Sequence, residues 1–227
     1  MRKKEKAAIV VDRLKAIYPD SCSLEATKDY ELLFATRLAA QCTDARVNVV
    51  TAVLYDKYPT LEALAAATED EIAEIVKPCG LFRTKARDIH LGANKLIHDF
   101  GGRVPDTMEE LLTIPGVGRK TANLILSDIF GHPAIVADTH CMRIAGKLGL
   151  TDSGRDPYKV EMDLKKIVEP VEQASLCHRF VHFGRDVCTA RSPKCEICPL
   201  SDLCREYQNN IKKNKKEQIS SKYRKSL

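Results

Sequence analysis

No apolar run in this 227-residue chain approaches the ~20 residues that a bilayer-spanning helix requires, so a transmembrane protein is excluded from the reading. The five-residue apolar patch Ala7-Ala8-Ile9-Val10-Val11 near the N-terminus is too short for a signal-peptide core. The expectation is a cytoplasmic protein without a membrane partner. Sustained strand-like alternation is missing, and so is any internal repeat, which removes sheet and solenoid architectures. The body of the chain also lacks a basic excess. The net charge is +5, but residues 210–227 carry +6 and residues 2–6 carry +3, leaving residues 7–209 at −4. Basic ends can add salt-dependent affinity for phosphate, yet solvated tails of this kind are common, and charge alone does not select a nucleic acid. The segment 212–227 reads as a flexible basic tail.

What is present is helical periodicity. Hydrophobic residues make up 44% of the chain and charged residues 30%, proportions of a globular protein. The pattern predicts helices over about Lys3–Ile17, Tyr30–Gln41, Ala45–Tyr58, Leu61–Ala67, a segment begun by the capping box Thr68-Glu69-Asp70-Glu71, Thr84–Phe100, Arg119–Phe130, Thr139–Leu148 and Ser175–Asp186. Asp156-Pro157 supplies an N-cap followed by proline at the first helical position, opening a helix to about Val168. The fold class is all-α, with roughly ten short helices joined by tight turns.

The richest local stretch runs from Leu112 to Asp138. It contains Ile114-Pro115-Gly116-Val117-Gly118-Arg119-Lys120, followed downstream by Val136-Ala137-Asp138-Thr139-His140. Two glycines around Val117 make a turn whose backbone can approach a ligand closely. Because a helix resumes after Gly118, backbone N–H groups should face outward at a helix N-terminus, a setting suited to phosphate. Lys120 falls in the first turn of that helix, where the dipole and any burial would lower its pKa and favour a nucleophilic amine. The competing reading is an ordinary solvated first-turn lysine, with Asp138 as an N-cap worth about 1 kcal/mol.

Nine cysteines divide into two groups. Cys22, Cys42, Cys79, Cys141 and Cys177 are scattered through helical segments as small hydrophobes. Cys188, Cys195, Cys198 and Cys204 crowd into 17 residues. An odd total without a secretory signal argues against a disulfide framework and for metal ligation. Four thiolates suit tetrahedral zinc or an iron–sulfur cluster. Only one close Cys-x2-Cys pair is present, and the wider gaps on either side lean toward the larger cluster without excluding zinc.

Taken together, the Pro-Gly-Val-Gly hairpin between two helices, Lys120, Asp138 18 residues later and the four-cysteine loop resemble the endonuclease III family of helix-hairpin-helix DNA glycosylases. The resemblance spans about residues 1–210. It implies a two-lobed fold: a six-helix barrel over residues 22–132, and a second lobe combining residues 1–21 with 133–211 and holding a [4Fe-4S] cluster on Cys188, Cys195, Cys198 and Cys204. DNA would lie across the cleft. It also implies excision of oxidised pyrimidines from double-stranded DNA by a monomer of base excision repair, then cleavage 3′ to the abasic site by β-elimination.

The chemistry asks for these residue types. Cleaving an N-glycosidic bond develops positive charge on the sugar, which a carboxylate such as Asp138 can steady. An amine such as Lys120 attacking C1′ displaces the base and leaves an iminium that acidifies the C2′ proton. By the same resemblance Gly116, Val117 and Gly118 hold DNA phosphate, and Gln41 and Leu81 fill the gap left by the extruded nucleotide. Arg191 and Lys194 place a basic loop on the DNA backbone. Asp44 and His140 are further candidates for the lesion pocket, a structural role being the rival reading of His140. The related mismatch-specific adenine glycosylases lack the lysine, carry a glutamate early in the second helix and add a C-terminal domain. Leu33-Phe34-Ala35-Thr36-Arg37-Leu38 has no glutamate, so the bifunctional branch is favoured. A pyrimidine-dimer glycosylase, a non-catalytic DNA-binding module and a zinc-stabilised DNA-binding protein remain as rivals.

Overall fold

The computed structural model describes residues 1–213; the greater part of the expected tail, residues 214–227, lies outside the described residues. Among the described residues there is no β-strand. The main helices are α1 (Lys3–Lys15), α2 (Asp29–Leu38), α3 (Asp44–Lys57), α4 (Leu61–Ala66), α5 (Glu69–Val76), α6 (Phe82–Phe100), α7 (Met108–Leu111), α8 (Arg119–Asp128), α9 (Thr139–Leu148), α10 (Pro157–Ile167) and α11 (Gln173–Asp186). A further helix occupies residues 205–213. No helix among them is long and apolar enough to cross a membrane.

The chain divides into two units, Cys22–Ala134 and Met1–Ser21 together with the residues from Ile135 onward. In the first unit, α6 is the helix around which α2, α4 and α5 pack. Leu33, Leu38, Leu54, Leu64, Ile72, Ile89, Leu96 and Leu111 are all fully buried there. Each such side chain contributes roughly 1.5–3 kcal/mol by leaving water. Close approach of α2 and α6 depends on Gly92, where a Cβ would stand 2.9 Å from the Phe34 ring.

Local capping chemistry starts most of these helices. The side chains of Thr43, Thr60, Thr68 and Thr107 accept the backbone N–H of Arg46, Ala63, Glu71 and Glu110, satisfying donors that the helices cannot. The expected box at Thr68 is complete, with Glu71 Oε2 accepting the Thr68 N–H at 2.9 Å. Gly101 and Gly149, at φ of 60° and 77°, end α6 and α9 in the left-handed conformation, which glycine adopts without strain.

α1 and α8 end two residues early, at Lys15 and Asp128, and α11 starts two residues early, at Gln173; two further helix ends depart from the sequence expectation through left-handed residues. α2 stops at Leu38 instead of continuing to Gln41, and Gln41 takes φ 57°. α6 starts at Phe82, two residues before Thr84, because Leu81 turns the chain with φ 49°. Both left-handed residues depend on contacts distant in the chain, described below.

In the second unit α1 packs on α10 and α11 through Ala7, Val10 and Leu14. Its polar face ties down the C-terminal loops. Lys6 Nζ donates to the carbonyls of Leu148 (2.8 Å) and Leu203 (3.1 Å), and Arg13 donates to Pro199 O (2.8 Å) and Asp202 Oδ1 (2.6 Å).

Candidate active site and cysteine loop

The hairpin between α7 and α8 closes by a hydrogen bond from Val117 N to Ile114 O, 3.1 Å. Gly116 has φ +75°, and a Cβ there would lie 2.6 Å from Arg37 Nε and 2.8 Å from Asp88 Oδ2. Arg37 and Asp88 are themselves an ion pair, at 2.7 Å, with side chains only 17% and 10% exposed. Glycine is thus required at 116 by backbone conformation and by space. Gly118 differs: its φ is −103°, it is the N-cap of α8 without a side-chain cap, and a Cβ would meet nothing within 4 Å. Nothing within the chain demands glycine at 118.

Lys120 is the second residue of α8 and is exposed. The burial expected for it does not occur, because the second position of α8 faces away from the core side that Ala122 occupies. Asp138 is the half-buried N-cap of α9; its Oδ1 accepts the Cys141 N–H at 2.7 Å, and its own N–H donates to Val136 O at 2.8 Å. The cap uses one carboxylate oxygen and holds the other in a defined direction.

The remaining candidates fall in varied settings. Gln41 and Leu81 are both exposed and both left-handed. Asp44 is the half-buried first residue of α3. His140 Nδ1 lies 3.2 Å from Arg143 Nη2, and that guanidinium also donates to Gly184 O (3.3 Å) and Cys188 O (2.8 Å). His140 therefore sits in the polar support beneath the cysteine loop. Lys85, fully buried on α6, went unnoticed in the sequence. A lysine in the first turn of an amphipathic helix reads as solvated, and no local signal marks it otherwise.

The cysteine loop is compact. Cys188 follows α11, its N–H bonded to Phe183 O at 2.9 Å, and Lys194 N bonds back to Val187 O at 2.9 Å. Cys195 opens a single 3₁₀ turn that Cys198 ends. All four thiols, together with Lys147, line one cavity of about 80 Å³. Burial pushes the Cys188 and Cys198 thiols up, with the neighbouring cysteines adding repulsion; ligation of thiolates by iron removes that penalty. Four thiols on one cavity form a donor set that fits an iron–sulfur cluster. Arg191 and Lys194 are exposed on this loop, Lys194 Nζ being 3.6 Å from Asp186 Oδ1.

A glycine hairpin on an all-helical body, a lysine at its outgoing helix and a four-thiol loop define a helix-hairpin-helix DNA repair protein. The model described as HhH-GPD superfamily base excision DNA repair protein matches residues 34–170, and the iron-sulfur binding domain of endonuclease III matches residues 188–204. Endonuclease III of a Synechocystis species is 44% identical over 204 residues, covering 89% of this chain and 93% of the relative. Endonuclease III of Bacillus subtilis is 41% identical with the same coverage. A solved structure described as a trapped endonuclease III–DNA covalent intermediate, an estranged-adenine complex, superposes with TM-score 0.87 at 40% identity, covering 93% of this chain and 100% of that one. The chain belongs to the endonuclease III family. It is a DNA N-glycosylase and AP lyase of base excision repair, with a [4Fe-4S] cluster as its cofactor.

Proposed function

We propose that this enzyme removes oxidised or ring-saturated pyrimidines from double-stranded DNA, acting as a cytoplasmic, nucleoid-associated monomer, and cleaves the strand through a Schiff base on Lys120. The observation that carries the reading is the exposed Lys120 amine in the first turn of α8, beside a hairpin with open space over Gly118. The similarity to a chain trapped as a covalent DNA intermediate supports a nucleophile of this kind.

In this mechanism the hairpin backbone holds a phosphate at the start of α8. The Lys120 ammonium first gives its proton to a carboxylate, the role the resemblance assigns to Asp138, and that proton goes on to the departing base, leaving the carboxylate charged. The free amine then attacks C1′, a C1′–N bond forms, and the glycosidic bond breaks as the base leaves with a proton. Asp138 also steadies the positive sugar. The C1′–O4′ bond then opens, O4′ taking the proton shed by the new nitrogen substituent, to give the iminium, and loss of its C2′ proton expels the 3′ phosphate. Gln41 and Leu81 occupy the space vacated by the extruded nucleotide, Asp44 lines the lesion pocket, His140 keeps the structural role its contact with Arg143 supports, and Arg191 and Lys194 meet the DNA backbone. Cys188, Cys195, Cys198 and Cys204 would hold the iron–sulfur cluster, which would supply a cross-link that orders that basic loop.

Borohydride reduction tests the nucleophile. Wild-type enzyme should form a covalent adduct with abasic-site DNA, and Lys120→Ala should form none. Trapping of Lys120→Ala at the wild-type level would overturn the mechanism. A panel of duplexes carrying oxidised pyrimidines or pyrimidine dimers tests the lesion class, and preference for the dimer would overturn that part.

A further inference from the structure

Lys85 is the largest fully buried side chain of the first unit, an unusual place for an ammonium group because desolvation opposes its charge. Its Nζ donates to three backbone carbonyls: Leu38 O at 2.8 Å, Ala40 O at 2.7 Å and Cys79 O at 2.9 Å. An ammonium has three N–H donors, so the set is complete. Its partners belong to two segments far apart in sequence. Leu38 and Ala40 are at the C-terminal end of α2, where the helix dipole is negative and carbonyls lack partners. Cys79 ends the 3₁₀ turn that leads into α6. Burial pulls the Lys85 pKa below the ordinary lysine value, and the Cys79 and Cys42 thiols pull it partly back.

The segments joined in this way carry the two left-handed non-glycine residues found among the described residues, Gln41 at φ 57° and Leu81 at φ 49°. Ala40 directly precedes Gln41, and Cys79 lies two residues before Leu81. A left-handed backbone strains a non-glycine residue, and such residues persist only where their surroundings over-determine them. Both side chains are nonetheless exposed, Leu81 by 56%. The strain therefore serves no packing within the chain.

We propose that Lys85 is a positioning residue for nucleotide extrusion, a buried cation that clamps the Gln41 and Leu81 turns in one fixed arrangement. The inference rests on the assignment of Gln41 and Leu81 as the residues that fill the DNA gap. Lys85 touches no substrate. Its clamp sets the separation and direction of two exposed side chains before DNA arrives, so that binding does not have to order them. Neutral replacement leaves three carbonyls without donors and releases both turns.

The test compares substrates that do and do not need extrusion. Lys85→Met in the full-length, iron-loaded enzyme should lower lesion excision from duplex DNA by about 10²-fold, the scale on which a misplaced group slows a reaction. It should also remove the fluorescence rise of 2-aminopurine placed opposite the lesion. Borohydride trapping on a single-stranded abasic oligonucleotide, which requires no gap filling, should stay at the wild-type rate. Lys85→Arg, which keeps charge and donors, should restore most of the duplex activity. Equal losses on both substrates, or no loss on either, would overturn the proposal. Lys85→Gln replaces Lys85→Met if the latter does not fold; if neither folds with its iron, Lys85 is structural and the proposal falls. Gln41→Ala and Leu81→Ala in the Lys85 background separate the two readings. If they leave duplex excision intact, the gap-filling assignment fails; if they impair it while Lys85→Met does not, only the clamp fails.

Discussion

Arg37 and Asp88 form a largely buried ion pair, Nη2 to Oδ2 at 2.7 Å, and the backbone of Gly116 rests directly on it. The pair joins α2 to α6, and the hairpin that precedes Lys120 is seated on both. The start of α8 is thus fixed by a charged platform, not by the hairpin alone.

Gly116 and Gly118 should respond differently to alanine. At Gly116 the left-handed backbone and the contact with Arg37 together should cost about 3 kcal/mol in denaturant unfolding. Gly118→Ala should cost only about 1 kcal/mol, the loss of a glycine N-cap, yet weaken binding to abasic-site duplexes because its Cβ enters the space assigned to phosphate. Equal stability losses at the two positions would contradict this account.

Removing one member of the buried pair should be worse than removing both. Asp88→Ala strands the Arg37 guanidinium and should destabilise the fold by about 3 kcal/mol. The double variant Arg37→Met, Asp88→Leu should recover part of that loss, because apolar groups of similar volume leave no orphaned charge. Urea titration of the single and double variants measures the difference.

Acid should loosen the second unit through Asp152. Hydrogen bonds from Lys3 and Arg205 pull its pKa down to about 2, and Asp163 and Asp202 are also held low by Ser153 and Arg13. A carboxylate whose folded pKa is depressed adds stability above its unfolded value, about 3.9, and that stability is lost as pH falls toward the folded value. Asp152→Asn should therefore flatten, without abolishing, the fall in melting temperature between about pH 4 and pH 2. The difference should shrink in high salt, because the pair is exposed.

Cys204→Ser should lower iron content and bleach the iron–sulfur absorbance, since all four thiols line one cavity. The Cys204 segment is also braced by Lys6 on the Leu203 carbonyl, so proteolysis near residues 187–204 should accelerate in this variant. Absorbance and iron analysis, followed by limited proteolysis, check both outcomes. Retention of full iron would remove Cys204 from the ligand set.

Much of the fold was legible because its signals are local. The Thr68–Glu71 box, the Asp156-Pro157 start, the Asp138 cap and the ends of α6 at Phe100 and α9 at Leu148 each depend on about four residues, and all occur where the pattern places them. The cysteine loop was equally readable, four thiols within 17 residues having little freedom to separate. Lys120 was recognisable by its neighbours, and its exposure agrees with the solvated first-turn reading the sequence also allowed.

By itself, then, the sequence determined the helices, the capped starts among them, the hairpin and the cluster loop, since a cap or a turn depends on the φ and ψ of a few successive residues. Only tertiary structure decided that α2 ends at Leu38, that Gln41 and Leu81 turn left-handed, and that Gly116 sits on Arg37 and Asp88. Those outcomes depend on partners 47 and 51 residues apart. A buried lysine and a buried ion pair become favourable only when folding brings distant carbonyls and carboxylates around them, and no short window of sequence carries that information.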